Sequence, residues 1–183
     1  MGRLGGWVIA AMCACDGDGQ SPVLEDRVLI GAADDATFVA VITDDERVLA
    51  YVCDGTGAAA TVGAWFVGTH DGAGFSLTHA SGARLDGRLD GDGVRGAFTL
   101  GPQALEYAVA DAEGDAGLFL ADDGEDLRGG WIVRDDGSQR GAVLHRTTGD
   151  IVAAQAIAPE QTTVVLQTQA RPLVHLLTPQ LPG

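Results

Sequence analysis

The stretch Thr37-Phe38-Val39-Ala40-Val41-Ile42-Thr43-Asp44-Asp45-Glu46-Arg47-Val48-Leu49-Ala50-Tyr51-Val52-Cys53-Asp54-Gly55 decides how this chain is read. Two short apolar runs, rich in β-branched residues, are separated by four polar residues and closed by Asp-Gly. Runs too short for a free-standing helix, joined through a polar turn, read as an antiparallel hairpin. The closing Asp-Gly supports the same reading. An Asp side chain accepts hydrogen bonds from its own turn, and the Gly beside it is free to take positive φ.

The pattern continues on both sides. Val28-Leu29-Ile30 precedes it, and residues 62–67, with Trp65-Phe66, follow it. Beyond Asp71-Gly72-Ala73-Gly74, the residues Phe75, Leu77 and His79 share one face and Ser76 and Thr78 the other. That is the period of two of a half-buried strand. Arg84-Leu85-Asp86-Gly87-Arg88-Leu89 leads to Asp90-Gly91-Asp92-Gly93, after which Val94, Gly96, Phe98 and Leu100 form an inward set. Gly101-Pro102-Gln103 turns the chain, and Leu105, Tyr107 and Val109 resume the alternation. Residues 117–120 and Trp131-Ile132-Val133 flank Asp122-Asp123-Gly124-Glu125-Asp126, and Asp135-Asp136-Gly137-Ser138 leads into Gly141-Ala142-Val143-Leu144. Strands at near-regular spacing with a turn at each break predict an all-β fold, an antiparallel small barrel or sandwich of consecutive hairpins. No strand-helix alternation occurs, which argues against a doubly wound sheet. Closure is favoured over an open sheet because it removes exposed edges.

The chain of 183 residues suits one domain, long enough to bury roughly two thirds of its unfolded surface without a metal or disulfide. The expected organisation is a signal or anchor segment with its linker over residues 1–22, a single β-domain over 23–170 and a C-terminal tail over 171–183. Residues 151–157 and 162–169 read as two further strands. A helix over 151–158 is the other reading of the first, but it is too short to stand without packing. At the N-terminus, Arg3 precedes an apolar run ending in Met12-Cys13-Ala14-Cys15, and a polar run follows from Asp16. One positive charge before about a dozen apolar residues fits a short secretory signal, and the run is too short to span a bilayer comfortably. A cysteine ending such a run resembles a bacterial lipoprotein signal, which makes Cys15 the lipid-anchor candidate. The other reading of Trp7-Val8-Ile9-Ala10-Ala11 is a buried strand. Cys13-Ala14-Cys15 lacks the two-residue spacing of redox and zinc motifs, and Cys53 reads as a small buried hydrophobe.

The formal net charge is −15, and every basic side chain except histidine is Arg. Nucleic acid and anionic lipid need clustered positive charge, so neither is an expected partner for this surface. Acidic turns suggest weak divalent-cation ligands at Asp90 and Asp92 and at Asp122 and Asp126, because calcium takes several oxygens from a tight loop. The twelve-residue calcium-loop spacing is missing, and solvated turns are the leading explanation of these acids. His79, in phase with Phe75 and Leu77, and Glu106, between Leu105 and Tyr107, are the candidates for acid–base work, although Glu106 points opposite to its neighbours. Trp65, Phe98, Tyr107 and Trp131 are the candidate ligand-binding aromatics if they line one cavity, and core residues otherwise. No phosphate loop, dinucleotide fingerprint, nucleophile elbow or histidine metal motif is present, so no cofactor is expected.

Three segments carry a family likeness: Ala50-Tyr51-Val52-Cys53-Asp54-Gly55, Ala64-Trp65-Phe66-Val67-Gly68, and Gly130-Trp131-Ile132-Val133 with Asp136-Gly137-Ser138-Gln139. On these, residues 39–143 resemble uncharacterised secreted or membrane-tethered, hairpin-rich proteins of actinobacteria and related bacteria. The resemblance implies an extracytoplasmic setting and no particular activity. The expected function is therefore an extracytoplasmic β-domain that binds a small ligand or protein partner or self-associates, with a lipid tether where Cys15 is modified. The alternative is a small β-barrel enzyme, of isomerase or cyclase type, with a central cavity served by His79 or Glu106. An enzyme of that kind needs a hollow interior with convergent polar groups, whereas a structural module needs a filled one.

Overall fold

The computed structural model describes residues 26–57, 59–158 and 160–181, and among them every regular element is a β-strand. In chain order these are β1 (Arg27–Ala32), β2 (Phe38–Thr43), β3 (Arg47–Cys53), β4 (Gly63–Thr69), β5 (Gly74–Thr78), β6 (Arg84–Asp90), β7 (Gly93–Leu100) and β8 (Gln103–Asp111). They continue with β9 (Gly117–Asp122), β10 (Leu127–Val133), β11 (Gln139–His145), β12 (Ile151–Ala153), β13 (Thr163–Leu166), β14 (Gln169–Pro172) and β15 (Val174–Leu176). All pairings are antiparallel, as the hairpin pattern predicts.

The first eight strands form one sheet in the order β4-β3-β2-β1-β8-β7-β6-β5. It is nearly closed into a barrel. Its end strands, β4 and β5, meet through side chains rather than a ladder: Leu77 lies over Gly68, where a Cβ would fall 2.4 Å from the Leu77 Cδ2. The barrel interior is filled by Leu29, Val39, Val41, Phe66, Leu85 and Phe98 with their neighbours, all buried. Tyr107 also points inward, and its hydroxyl donates to the Asp86 carbonyl at 3.0 Å. That bond satisfies the one polar atom it brings into an apolar space.

The decisive hairpin, β2–β3, sits in the middle of the molecule. Val39, Val41, Val48, Ala50 and Val52 face the barrel interior, while Phe38, Ala40, Ile42, Leu49, Tyr51 and Cys53 face the other way. That second face would be exposed in a simple barrel. Here it is covered by a second sheet of order β12-β11-β10-β9-β15. Leu118, Leu120, Ile132 and Ala142 of this sheet complete the shared core. The fold is thus both alternatives of the sequence reading at once: a near-barrel with a sheet stacked on one wall.

Glycines let the two sheets approach. Tyr51 and Trp65 stack with ring centroids 4.2 Å apart, and they rest on β10 at Gly130. A Cβ there would lie 2.6 Å from the Tyr51 ring and 2.7 Å from that of Trp65. On the opposite face of β10, Trp131 occupies a seat formed by Gly129 and Gly141, where added Cβ atoms would fall 2.6 and 2.5 Å from its ring. Its indole N–H donates to the Gln155 carbonyl at 2.7 Å. The hairpin β13–β14 closes this outer side, placing Val164 and Leu166 with Phe119 and Trp131 in a third core.

Of the two strands read after Thr147, the first shortens to β12 and the second is cut by a turn at Gln167, with Thr163–Leu166 in β13 and Gln169 opening β14; the short-helix alternative over 151–158 is replaced by β12 and irregular chain. The segment read as a tail carries β15, which pairs with β9 from Val174–Leu120 to Leu176–Leu118. His175 stacks on Phe119 with centroids 4.5 Å apart.

The turns follow the expected chemistry at Asp71-Gly72. Gly72 has φ +83°, and the Asp71 carboxylate accepts from the N–H groups of Ala73 and Gly74 at 3.0 and 2.9 Å. Asp54-Gly55 differs. Asp54 reaches across the loop to the N–H groups of Thr61 and Val62, and the residue with positive φ is Gly57. Gly55 instead gives the second sheet room, since a Cβ there would fall 1.9 Å from the Gly141 carbonyl oxygen.

The seat at Gly130 predicts that Gly130→Ala lowers stability by roughly 1–3 kcal/mol, the usual cost of overpacking. Equilibrium urea unfolding reads this directly, and an unchanged midpoint would contradict the inter-sheet packing described.

Candidate functional site

The four aromatics proposed to line one cavity are divided among three cores. Phe98 and Tyr107 lie inside the near-barrel, Trp65 lies between the sheets, and Trp131 lies under the β13–β14 hairpin. Strand alternation brought each of them inward, but toward different interiors. Glu106 pairs with Ala97 on the solvent face of β8 and is exposed, so it does not meet His79.

The acids go mostly to turns and ion pairs. Asp122 pairs with Arg128 at 2.6 Å and also with Arg146. Burial raises its carboxyl pKa, but the Gly124 N–H and the two guanidinium groups outweigh that and leave it below the usual value. Asp126 accepts from the Thr147 N–H at 2.7 Å and lies 3.3 Å from the His145 ring. Asp90 pairs loosely with Arg95 at 3.7 Å. Asp90 and Asp92 do share a groove of about 560 Å³ with Asp135 and Asp136. Among the described residues, however, no three carboxylate, histidine or cysteine side chains gather as a metal site. Cys15 lies outside the described residues. Cys53 is free and buried, and burial pushes its thiol far above the ordinary range.

His79 has the most distinctive setting of the candidates. It lines a cleft of about 400 Å³ where the end of the near-barrel meets the second sheet. Val62, Ala83, Phe98 and Leu100 form the barrel side, and Leu144 and Ile151 form the side contributed by β11 and β12. The walls are largely apolar. The turn after β5 holds the imidazole: Nδ1 accepts from the Ser81 N–H at 3.2 Å and lies 2.8 Å from the Ser81 hydroxyl. That hydroxyl in turn accepts from the Ala83 N–H at 3.4 Å. The ring sits edge-on to Phe66, with centroids 5.9 Å apart. Burial lowers the His79 pKa, favouring the neutral imidazole. At the rim, Arg146 directs its guanidinium to Asp122.

The sequence reading found His79 and Phe98 but missed Ser81, Leu144 and Ile151. The motif His79-Ala80-Ser81-Gly82 was a usable local signal, because a side chain two residues after a turn histidine can reach its ring. Leu144 and Ile151 carried no local signal, since only the stacking of the second sheet brings them to the cleft.

Comparison with models of known protein families, with curated proteins and with solved structures gives no match for this chain. Among the described residues, no helix is long and apolar enough to cross a membrane.

The central hairpin's turn gives a pH prediction. The Arg47 guanidinium, hydrogen-bonded to Asp44, together with the Glu46 and Arg47 N–H groups, holds the Asp44 carboxyl down at about 2 against burial. A folded-state pKa below the unfolded one contributes stability that is present above pH ~4 and fades as pH falls toward 2. Asp44→Asn is therefore expected to be less stable than the parent at neutral pH, with the gap closing between pH ~4 and 2. Thermal unfolding of both proteins across that range tests it, and a gap constant with pH would contradict it.

Proposed function

We propose that this protein is an extracytoplasmic binding module whose site is the apolar cleft beside His79. The observation that carries the reading is the cleft itself, about 400 Å³ of space with largely apolar walls at the junction of the two sheets. Small-molecule sites are typically concave, mostly apolar and supplied with few polar groups, and this volume lies in their ordinary range. The interior of the near-barrel is occupied by packed side chains, which favours binding over chemistry in an enclosed chamber. The enzyme alternative also loses one of its two groups to solvent, because Glu106 lies on the outer face of β8.

The extracytoplasmic setting rests on the apolar run that follows Arg3, on Cys15 at its end, and on the family resemblance. A strongly acidic surface suits a soluble module that avoids anionic lipid and nucleic acid.

Two measurements test this. Titration with the neutral dye Nile red is expected to give saturable binding with a single site, weakened roughly tenfold by Ala80→Trp at the exposed rim of the cleft. Ala110→Trp, in the groove that holds Asp90, should leave the dye affinity unchanged. Binding that fails to saturate, or that ignores Ala80→Trp, would count against the cleft. Separately, the intact mass of protein made in its native host is expected to lack the N-terminal apolar run, with added lipid mass if Cys15 is modified. An unprocessed chain would overturn the extracytoplasmic reading.

A further inference from the structure

Resting on that reading of the cleft, we infer that its ligand is an uncharged, mainly apolar molecule carrying one hydrogen-bond acceptor, such as a carbonyl oxygen, which the His79 Nε2–H receives. The argument begins with the proton on His79. The Ser81 backbone N–H can only donate, and it donates to Nδ1 at 3.2 Å. Nδ1 therefore carries no hydrogen in the neutral ring, and the proton resides on Nε2. The Ser81 hydroxyl fits the same assignment, accepting from Ala83 N–H while its own proton points to Nδ1 at 2.8 Å. The two bonds to Ser81 orient the ring as well as fixing its tautomer. Among the described residues, Nε2 itself has no protein partner. The cleft thus sets an oriented imidazole donor beside largely apolar walls, and a ligand that supplies an acceptor gains a hydrogen bond there that a purely apolar one cannot make,.

Charge narrows the class further. His79 is favoured in its neutral form by burial. The nearest cation at the rim, Arg146, is already paired with Asp122. The whole chain carries a formal charge of −15, so its field opposes an approaching anion,. A cation would be drawn to the surface, but the lining residues of the cleft include no carboxylate to receive it. The favoured ligand is neutral.

Three naphthalene probes of nearly equal shape test this: 2-acetylnaphthalene, with a neutral carbonyl, 2-ethylnaphthalene, with no acceptor, and 2-naphthoate, an anion. Fluorescence titration at neutral pH is expected to rank the ketone first, roughly fivefold or more above the hydrocarbon, as one net hydrogen bond allows. Naphthoate is expected to bind weakest. His79→Phe keeps an aromatic ring beside Phe66 but removes Nε2–H, and it should bring ketone and hydrocarbon to equal affinity. Nitrogen-15 chemical shifts of the His79 ring in the unmodified protein are expected to show hydrogen on Nε2, and hydrogen on Nδ1 would overturn the inference even if the variant fails to fold. Equal ketone and hydrocarbon affinity in the parent would also overturn it while leaving the apolar cleft standing. Tightest binding by naphthoate would overturn it in favour of an anion site, and absence of saturable binding by all three would remove the cleft reading with it.

Discussion

Everything in this molecule is organised by a hairpin with no solvent face. In most antiparallel sheets one side of each strand is wet and the other dry. Here β2 and β3 are buried on both sides, with one set of alternating residues in the near-barrel and the other in the core shared with the second sheet. A shift of one residue would exchange the two sets. It would drive Tyr51 into a space filled by Val and Ala, and Val52 into one shaped for an aromatic ring. Two cores of different shape therefore specify the register more strongly than a single core could.

That constraint places demands on the facing strand. Tyr51 and Trp65 project so far from the barrel wall that β10 can approach only where it has no side chain, at Gly130. The same strand holds Trp131 on its outer side, seated over Gly129 and Gly141. Large rings on one surface and bare backbone on the other interlock as close-packed interiors require. The neighbouring glycines of β10 thus serve opposite faces of one strand, and the three cores are linked through it.

The candidate site arises where this stacking ends. The second sheet covers β1 to β4 but leaves the end of the near-barrel open beside His79, and the two edges enclose the cleft. The acidic residues have different work. Asp44, Asp54, Asp71 and Asp123 accept backbone N–H groups in turns, while Asp111 and Asp122 hold Arg27, Arg128 and Arg146. Asp serves as turn punctuation at Asp44, Asp54, Asp71 and Asp123 because its carboxylate finds local backbone donors there,.

The alternation of apolar residues and the Asp-Gly breaks were enough to establish strands, turns and antiparallel hairpins, because those features depend on neighbours a few positions apart. The inward direction of Phe75, Leu77, Phe98, Tyr107 and Val109, and the outward direction of Glu106, were legible for the same reason. Which interior each inward residue enters was not. Period two distinguishes one face from the other but cannot say what covers each face, so Trp65, Phe98 and Trp131 look equivalent in the chain and end in three different cores. The cleft lay beyond local reading as well. His79 and Ser81 are near neighbours, but Leu144 and Ile151 reach them only after the second sheet packs on the first. That packing is settled by the fit of Tyr51 and Trp65 to Gly130, a contact between distant segments that exists only once the whole chain has folded.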